Sequence, residues 1–522
     1  MSAAATFATV TARKAWIPLL TVGVATALFD LLFWECAPGL NMLLFNFCVA
    51  LFLKQRYGWS GLSVAARFGL LGALVAGAMV FVHNSIISII ASVIALVVAA
   101  ALAHEPLLRS LFFAGLQAVA SFIMTPLSAI AGLDRLAPTS GAPRKGWRWF
   151  KLGVLPFFLL LLFTQLYRAG NPKFDELTAG FMDAFLQLLG DFFESVLTAH
   201  TLFLLFGAVV CGGLLLRAMP DSVVHLEQRL SDVLVRVRSK RPHWMVPLSM
   251  DPLERERRMY MILLVAVNLL LVVVNVIDID WVWFGFQVPQ GFSLKQFVHE
   301  GTWILIISIL LSMIILMHIF RKNQNFYWRS KGLKTLATVW VVQNFILGIS
   351  VFLRNYHYIS FHGLAYKRIG VIVFLLLVLV GLITLFIKIR DRKSLFYLAR
   401  VNGWAAFAAL VFLSTVNWDG MIVQYNLRHW NQGEIDVDNY LEMSDKVLPL
   451  IYADIHKVEA QMQEHRQNQV RWVDHLDIGA FRTALDAKRD RFVHRLENAT
   501  WQERNLADLR TAEGLEALAI TN

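Results

Sequence analysis

Charged residues are scarce in this sequence, at 16% of 522 positions against 57% hydrophobic. Soluble domains carry charge at about a quarter of their positions, so an ordinary globule is excluded. Cysteine is rarer still. Cys36, Cys48 and Cys211 lie in or beside apolar runs with no CxxC pair. That rules out a disulfide framework or thiolate metal site and leaves three small core hydrophobes. Period-two alternation is missing, which excludes a transmembrane β-barrel. The GxGxxG, P-loop, HExxH and GxSxG signatures are missing too, since GWSG at 58–61 lacks the elbow spacing. His357 and His362 are five apart, off any single helical face, and no cysteine joins them. No metal and no cofactor is expected, and no catalytic residue is assigned.

What the chain has instead is long apolar runs, several of them close to the ~20 residues that cross a bilayer. They fall at about 16–34, 39–53, 66–82, 85–103, 109–131, 149–167, 199–216, 259–277, 301–320, 335–353, 369–388 and 397–415. With no water to satisfy the backbone there, each must be a helix. The expectation is an all-α polytopic membrane bundle of about 11–12 spans, followed by a soluble helical tail. Residues 1–131, 132–258, 259–416 and 417–522 are its natural divisions. The first run lacks a small-residue cleavage site and is expected to stay as a signal-anchor. Run 109–131 holds Pro126, Gln117 and Ser121 and is expected to be re-entrant. The stretch 174–197 has five acids and an apolar stripe, the pattern of an interfacial amphipathic helix.

Positive charge orients the chain. Loops 132–151, 217–258, 321–334 and 388–393 hold 23 Lys/Arg, and the alternate loops 168–198, 276–300 and 354–368 hold 6. The basic set belongs in the cytoplasm and the tail outside it. The net charge of +11 resolves into −6 over 418–522 and +17 elsewhere. This is anchoring against anionic lipid, not an affinity for nucleic acid. In the tail, Phe481, Leu485, Phe492 and Leu496 recur at helical spacing, so one face needs a partner, and a protein partner for the tail is one candidate. IDVDNYLEMSDKVLPLIYADIHKVEAQMQ reads as two short helices broken near Pro449. The acids Glu434, Asp436, Asp438, Glu442 and Asp445 lack the glycine and glutamate of a calcium loop, and Asp436 or Asp438 is expected to cap a helix.

Polar groups inside the apolar runs are the remaining signal. Asp30 interrupts the first run, where an unpaired charge costs at least ~2.5–3.5 kcal/mol, so it must face protein or a polar cavity. Asn268, Asn275 and Asp278 fall at i, i+7 and i+10, on one helical face. Gln343 and Asn344 sit mid-span, and Arg400 and Asn402 near the start of the last span. For the amides the expected role is hydrogen bonding between helices. Gly72 with Ala76 and Ala73 with Gly77 are small-residue pairs of the kind that let helices approach closely.

Two stretches carry a resemblance. VHEGTWILIISI (298–309) resembles an E-G-x-x-x-L element, and FHGLAYKRIG (361–370) resembles a Y-G-L-T-x-x-R element. Both belong to a bacterial family of multi-pass membrane proteins classed as a domain of unknown function. RVNGWAAF, NWDGMIVQYNL and DVDNYLEMSDKVLPLI are similar to the same family over about 250–510, as is GLNMLLFNF nearer the start. The resemblance implies a fold and a membrane location, with no activity attached. Here His362 replaces the tyrosine and Ala365 the threonine.

Span arithmetic puts Glu300, residues 354–368 and Asp419 at the same face of the membrane. Glu300, Arg354, His362 and Arg368 therefore form a candidate ion-pair site. The expectation is that Glu300 lies within reach of Arg354 or Arg368, directly or through His362 or a tyrosine. Asp30, Asn268, Asn275, Asp278 and Asn344 are the candidate intramembrane polar residues. Three functions remain open. They are a non-enzymatic inner-membrane sensor, scaffold or regulator, a secondary transporter, and an intramembrane enzyme using Glu300 with His299 or His362.

Overall fold

A computed structural model describes residues 20–136, 198–217, 222–236, 252–285, 294–321, 323–430, 435–467 and 476–521, with scattered positions between 156 and 194. Of these, 127–136 and 294–300 are described as backbone only. The run 149–167, the stretch 174–197 and the basic loops 132–151 and 237–250 lie wholly or mostly outside the described residues. The fold is all-α. A single bridge, Val233 to Lys393, is the only β pairing among the described residues.

The helices are α1 (Leu20–Phe33), α2 (Leu40–Tyr57), α3 (Val64–His83), α4 (Ile86–His104), α5 (Leu111–Leu136), α6 (Ala199–Leu215) and α7 (Ser222–Gln228). Then come α8 (Pro252–Asp278), α9 (Leu294–Ile319), α10 (Lys331–His362), α11 (Tyr366–Arg390) and α12 (Leu395–Ser414). The tail comprises α13 (Trp418–Arg428), α14 (Asn439–Glu442), α15 (Leu448–Ala453), α16 (Ile455–Gln467), α17 (Ile478–Asn498) and α18 (Leu506–Thr521). Seven of these, α3, α4 and α8 to α12, are long and apolar enough to cross a membrane. The chain is a multi-pass membrane protein.

Two groups of residues pack separately. The first comprises 1–36, 47–62 and 116–221, and the second 37–46, 63–115 and 222–522. In the first group α1 meets α6 through Phe29, whose ring fills the space a side chain at Gly207 would need. Thr125 and Phe122 occupy the corresponding spaces at Gly212 and Gly213. Arg56, in the last turn of α2, donates to the carbonyl of Leu215 at the end of α6. The segment expected to be re-entrant is one continuous helix. Pro126 sits inside it without reversing the chain, because neighbouring groups in a bundle re-satisfy the backbone a proline frees.

In the second group, Gly69 and Ala99 bring α3 and α4 into backbone contact, the close approach that small residues permit. Asn46 ties the pair together, donating to the Ala73 carbonyl at 2.8 Å and to the Ser92 hydroxyl at 2.7 Å. A core built by α8 to α12 centres on Leu264, Ile309, Phe320, Leu333, Trp340 and Leu382. Caps follow local chemistry: Ser63 and Ser394 accept from the first turns of α3 and α12.

The tail has its own core. Phe481, Leu485 and Phe492 of α17 are buried among Tyr440, Val447, Leu448, Ile451, Val458 and Met462, with Leu496 packed beside them. Pro449 opens α15 instead of breaking a helix, since the missing N–H of a first-turn proline is unpaired anyway. Asp436 accepts from the Asn439 N–H, and Asp445 pairs with Arg495 at 2.8 Å. Among the described residues no group of acids and histidines could hold a metal ion. Lys488 donates to the carbonyls of Leu441 and Met443, and burial holds its ammonium below the usual lysine range.

Candidate functional site

The polar groups of α8 and α10 form a ladder along their contact. Asn268 donates to the Leu264 carbonyl at 2.6 Å and to the Leu336 carbonyl at 3.2 Å. Gln343 donates to the Asn268 side chain at 2.7 Å, and Asn275 donates to the Gln343 carbonyl at 3.2 Å. The i, i+7 spacing puts both asparagines against α10, and each rung joins residues far apart in sequence. Asn344 faces differently, donating to the Trp340 carbonyl of its own helix.

At the top of the ladder stands an ion pair. Arg354 Nη2 donates to Asp278 Oδ1 at 2.5 Å, with the residues 7% and 4% exposed. Asp278 is the last α-helical residue of α8, and a π-helical turn follows over Ile279–Phe284. That turn is pinned to α10 at two points. Trp283 donates its indole N–H to Ser350 at 3.0 Å, and His357 Nε2 lies 3.1 Å from the Val282 carbonyl. A π turn inside a helix commonly marks a place where side chains are re-aimed, and here it lets Trp283 reach α10.

Gly301 belongs to the same cluster. A side chain at that position would stand 3.2 Å from Arg354 Nη1. The glycine of the E-G pair is therefore the surface against which the guanidinium lies. The Glu300 carboxylate is outside the described residues. Among the described residues, Arg368 donates to the carbonyls of His362 (2.6 Å) and Gly363, and it lies over the Tyr358 ring at 4.6 Å. These carbonyls are among those left unpaired where α10 ends. His362 is buried, edge-on to Tyr358 and Phe361.

The turn between α10 and α11 is held by the tail. Asn426 of α13 accepts from the Leu364 N–H at 2.6 Å and donates to the Leu364 carbonyl at 3.0 Å. A second anchor lies close to the first residues of the tail. Asp419 Oδ2 accepts from Ser444 at 2.6 Å and lies 2.9 Å from Lys446 Nζ, which donates to the carbonyl of His83 at the end of α3. Both charged side chains are buried. A third anchor joins the start of α2 to the tail, where the N–H groups of Leu40 and Asn41 donate to the carbonyls of Arg504 and Gln502, each at 3.0 Å. Gly39 permits this, because any side chain there would run into the backbone of Glu503.

Asp30 belongs to the first group of residues. His200 Nε2 is 2.9 Å from its Oδ1, and Trp34 packs over the imidazole at 4.4 Å. Its partner was invisible in the sequence, since His200 reads only as the polar start of an apolar run. Arg400 pairs with Asp232 at 2.8 Å, and Asn402 donates to Thr384 at 2.9 Å.

A family model described as Domain of unknown function (DUF4153) matches residues 69–453. The match covers well over half the chain, and the protein belongs to that family. No curated protein and no solved structure matches it.

Proposed function

Starting from that membership, we propose that the chain is a non-enzymatic component of the bacterial inner membrane, a sensor, scaffold or regulator. In this reading the helical bundle holds the folded tail on the outer face, where it meets an envelope partner. The observation that supports this most is the triple anchoring of the tail through Lys446 and Asp419, Asn426, and the Gly39–Asn41 turn. A buried ion pair is costly to break by removing one partner, so the tail is built to stay docked. The amide ladder adds support, because Asn268, Gln343 and Asn275 spend donors on one another and on backbone. A transport path needs such groups open to water. Secondary transport remains the second reading, favoured by the titratable Asp30–His200 pair.

Two measurements test this. A reporter active only in the cytoplasm, fused after Asn522, should be silent, and strong activity would reverse the orientation. In a chain with its three cysteines replaced by alanine, a cysteine at position 275 should resist a membrane-impermeant thiol reagent. Rapid labelling would mean a water path at mid-membrane and would favour transport.

A further inference from the structure

A cavity of about 320 Å³ opens between the first membrane turns of α9 and α11. Its size is at the lower end of the ~300–1,000 Å³ typical of ligand pockets. Ile306, Val371, Phe374 and Trp303 give it apolar walls. Gly370 leaves one side open, since a side chain there would meet nothing within 4 Å. Lys367 and Arg368 stand at the same site. Arg368 is held by two carbonyls and the Tyr358 ring, whereas Lys367 is exposed.

Thr302 lines the cavity, and its hydroxyl, on a residue only 4% exposed, makes no hydrogen bond to any described group. Leaving such a group unpaired is costly. The first turn of α11 is likewise without a side-chain acceptor, because its cap is Ala365. Trp303 and Tyr366 are exposed here, as aromatic residues are at the headgroup level.

We propose that this cavity binds an anionic phospholipid from the surrounding bilayer. Its acyl chain lies between α9 and α11, its phosphate meets Lys367, Arg368 and the uncapped first turn of α11, and an ester oxygen accepts from Thr302. The apolar walls need a hydrocarbon occupant, which inorganic phosphate lacks. The paired cations need an anion, which a zwitterionic lipid supplies only in part. The site serves a scaffold or a transporter equally well and does not rest on the reading above.

The test uses the full chain, purified and delipidated in detergent. Phosphatidylglycerol, phosphatidylethanolamine and inorganic phosphate are added separately, and binding is followed by native mass spectrometry and the melting temperature. Phosphatidylglycerol should bind and raise the melting temperature, with the other two well behind. Lys367→Gln removes one exposed cation and should weaken phosphatidylglycerol binding about fivefold. Gly370→Leu should fill the cavity and weaken it further, and Thr302→Val should act in the same direction. Both surface-facing variants should melt like the unmodified chain without lipid. Equal binding of the two lipids would overturn the proposal. So would phosphate alone reproducing the shift, or retention of full binding by Lys367→Gln and Gly370→Leu together.

Discussion

The helices α8 and α17 belong to the same packed group and are built by opposite rules. In α8 the buried face carries Asn268, Asn275 and Asp278 beside Leu264 and Leu271, while Ile262 and Leu270 are 73% and 66% exposed. In α17 the buried face carries Phe481, Leu485 and Phe492, while Arg482, Asp490, Arg491 and Glu497 face outward. A helix in water buries its apolar stripe because that is where free energy is gained. A helix in lipid gains nothing by hiding leucine and gains much by pairing its amides. The change from one pattern to the other runs near Asp419, after the last helix long and apolar enough to cross a membrane.

The largest test of this contrast is at the top of the α8–α10 ladder. Arg354→Met should cost roughly 3–5 kcal/mol, because it leaves the buried Asp278 carboxylate without its cation. Adding Asp278→Leu should recover most of the loss, since a buried ion pair is often replaceable by well-packed apolar groups. Chemical unfolding of the detergent-solubilised chain measures both. A double variant as unstable as the single would mean that Arg354 serves another anion.

The exposed faces provide the next test. Leu270→Lys and Val493→Lys each place a cation on the outward surface of a helix. The first should cost ~2.5–3.5 kcal/mol of insertion free energy at mid-membrane. The second should stay within about 0.5 kcal/mol, as surface substitutions in water do. An insertion assay for 259–277 and the melting temperature of the whole chain are the readouts. Equal tolerance at the two positions would erase the distinction between bundle and tail.

Much of this could be read from the residues, and the gaps have physical causes. Helical period placed Asn268, Asn275 and Asp278 on one face and Phe481, Leu485 and Phe492 on another. Their partners could not be found that way, because Gln343 and Arg354 are set by the register of one helix against another. Asp278 was therefore grouped with the amides instead of with Arg354. The two motifs were visible as motifs, but their purpose was not. Gly301 makes room for a guanidinium, and Arg368 serves the last carbonyls of α10. A sequence shows the charge on an arginine and not the unpaired backbone at the end of the preceding helix. GLNMLLFNF likewise hides two different duties, Asn41 shaping the turn against the tail and Asn46 joining α3 to α4.

The turn between α10 and α11 is where bundle and tail meet, so substitutions there probe their coupling. Gly363 has φ of 77° and ψ of −175°, a region that only glycine occupies comfortably, worth about 1–3 kcal/mol of strain for any other residue. A side chain would also stand 2.6 Å from Asn426 Oδ1. Gly363→Ala should therefore destabilise the chain by that amount and loosen α13, read as faster hydrogen exchange at Leu364 and in α13. Unchanged exchange would show that the Asn426 bonds are dispensable to docking.

The smallest expected effect is a gain. Ala365 caps α11 with an extended backbone, φ −152° and ψ 160°, and offers no side-chain acceptor to the first turn. A threonine hydroxyl in that geometry accepts from the N–H two or three residues on. Ala365→Thr should then stabilise the chain by about 1 kcal/mol, visible as a raised melting temperature. The same hydroxyl would take up the N–H groups that an anionic headgroup otherwise meets at the first turn of α11. Phosphatidylglycerol should accordingly raise the melting temperature of Ala365→Thr by less than it raises that of the unmodified chain. A variant that melts higher but responds fully to lipid would keep the cap and remove the first turn of α11 from the lipid site.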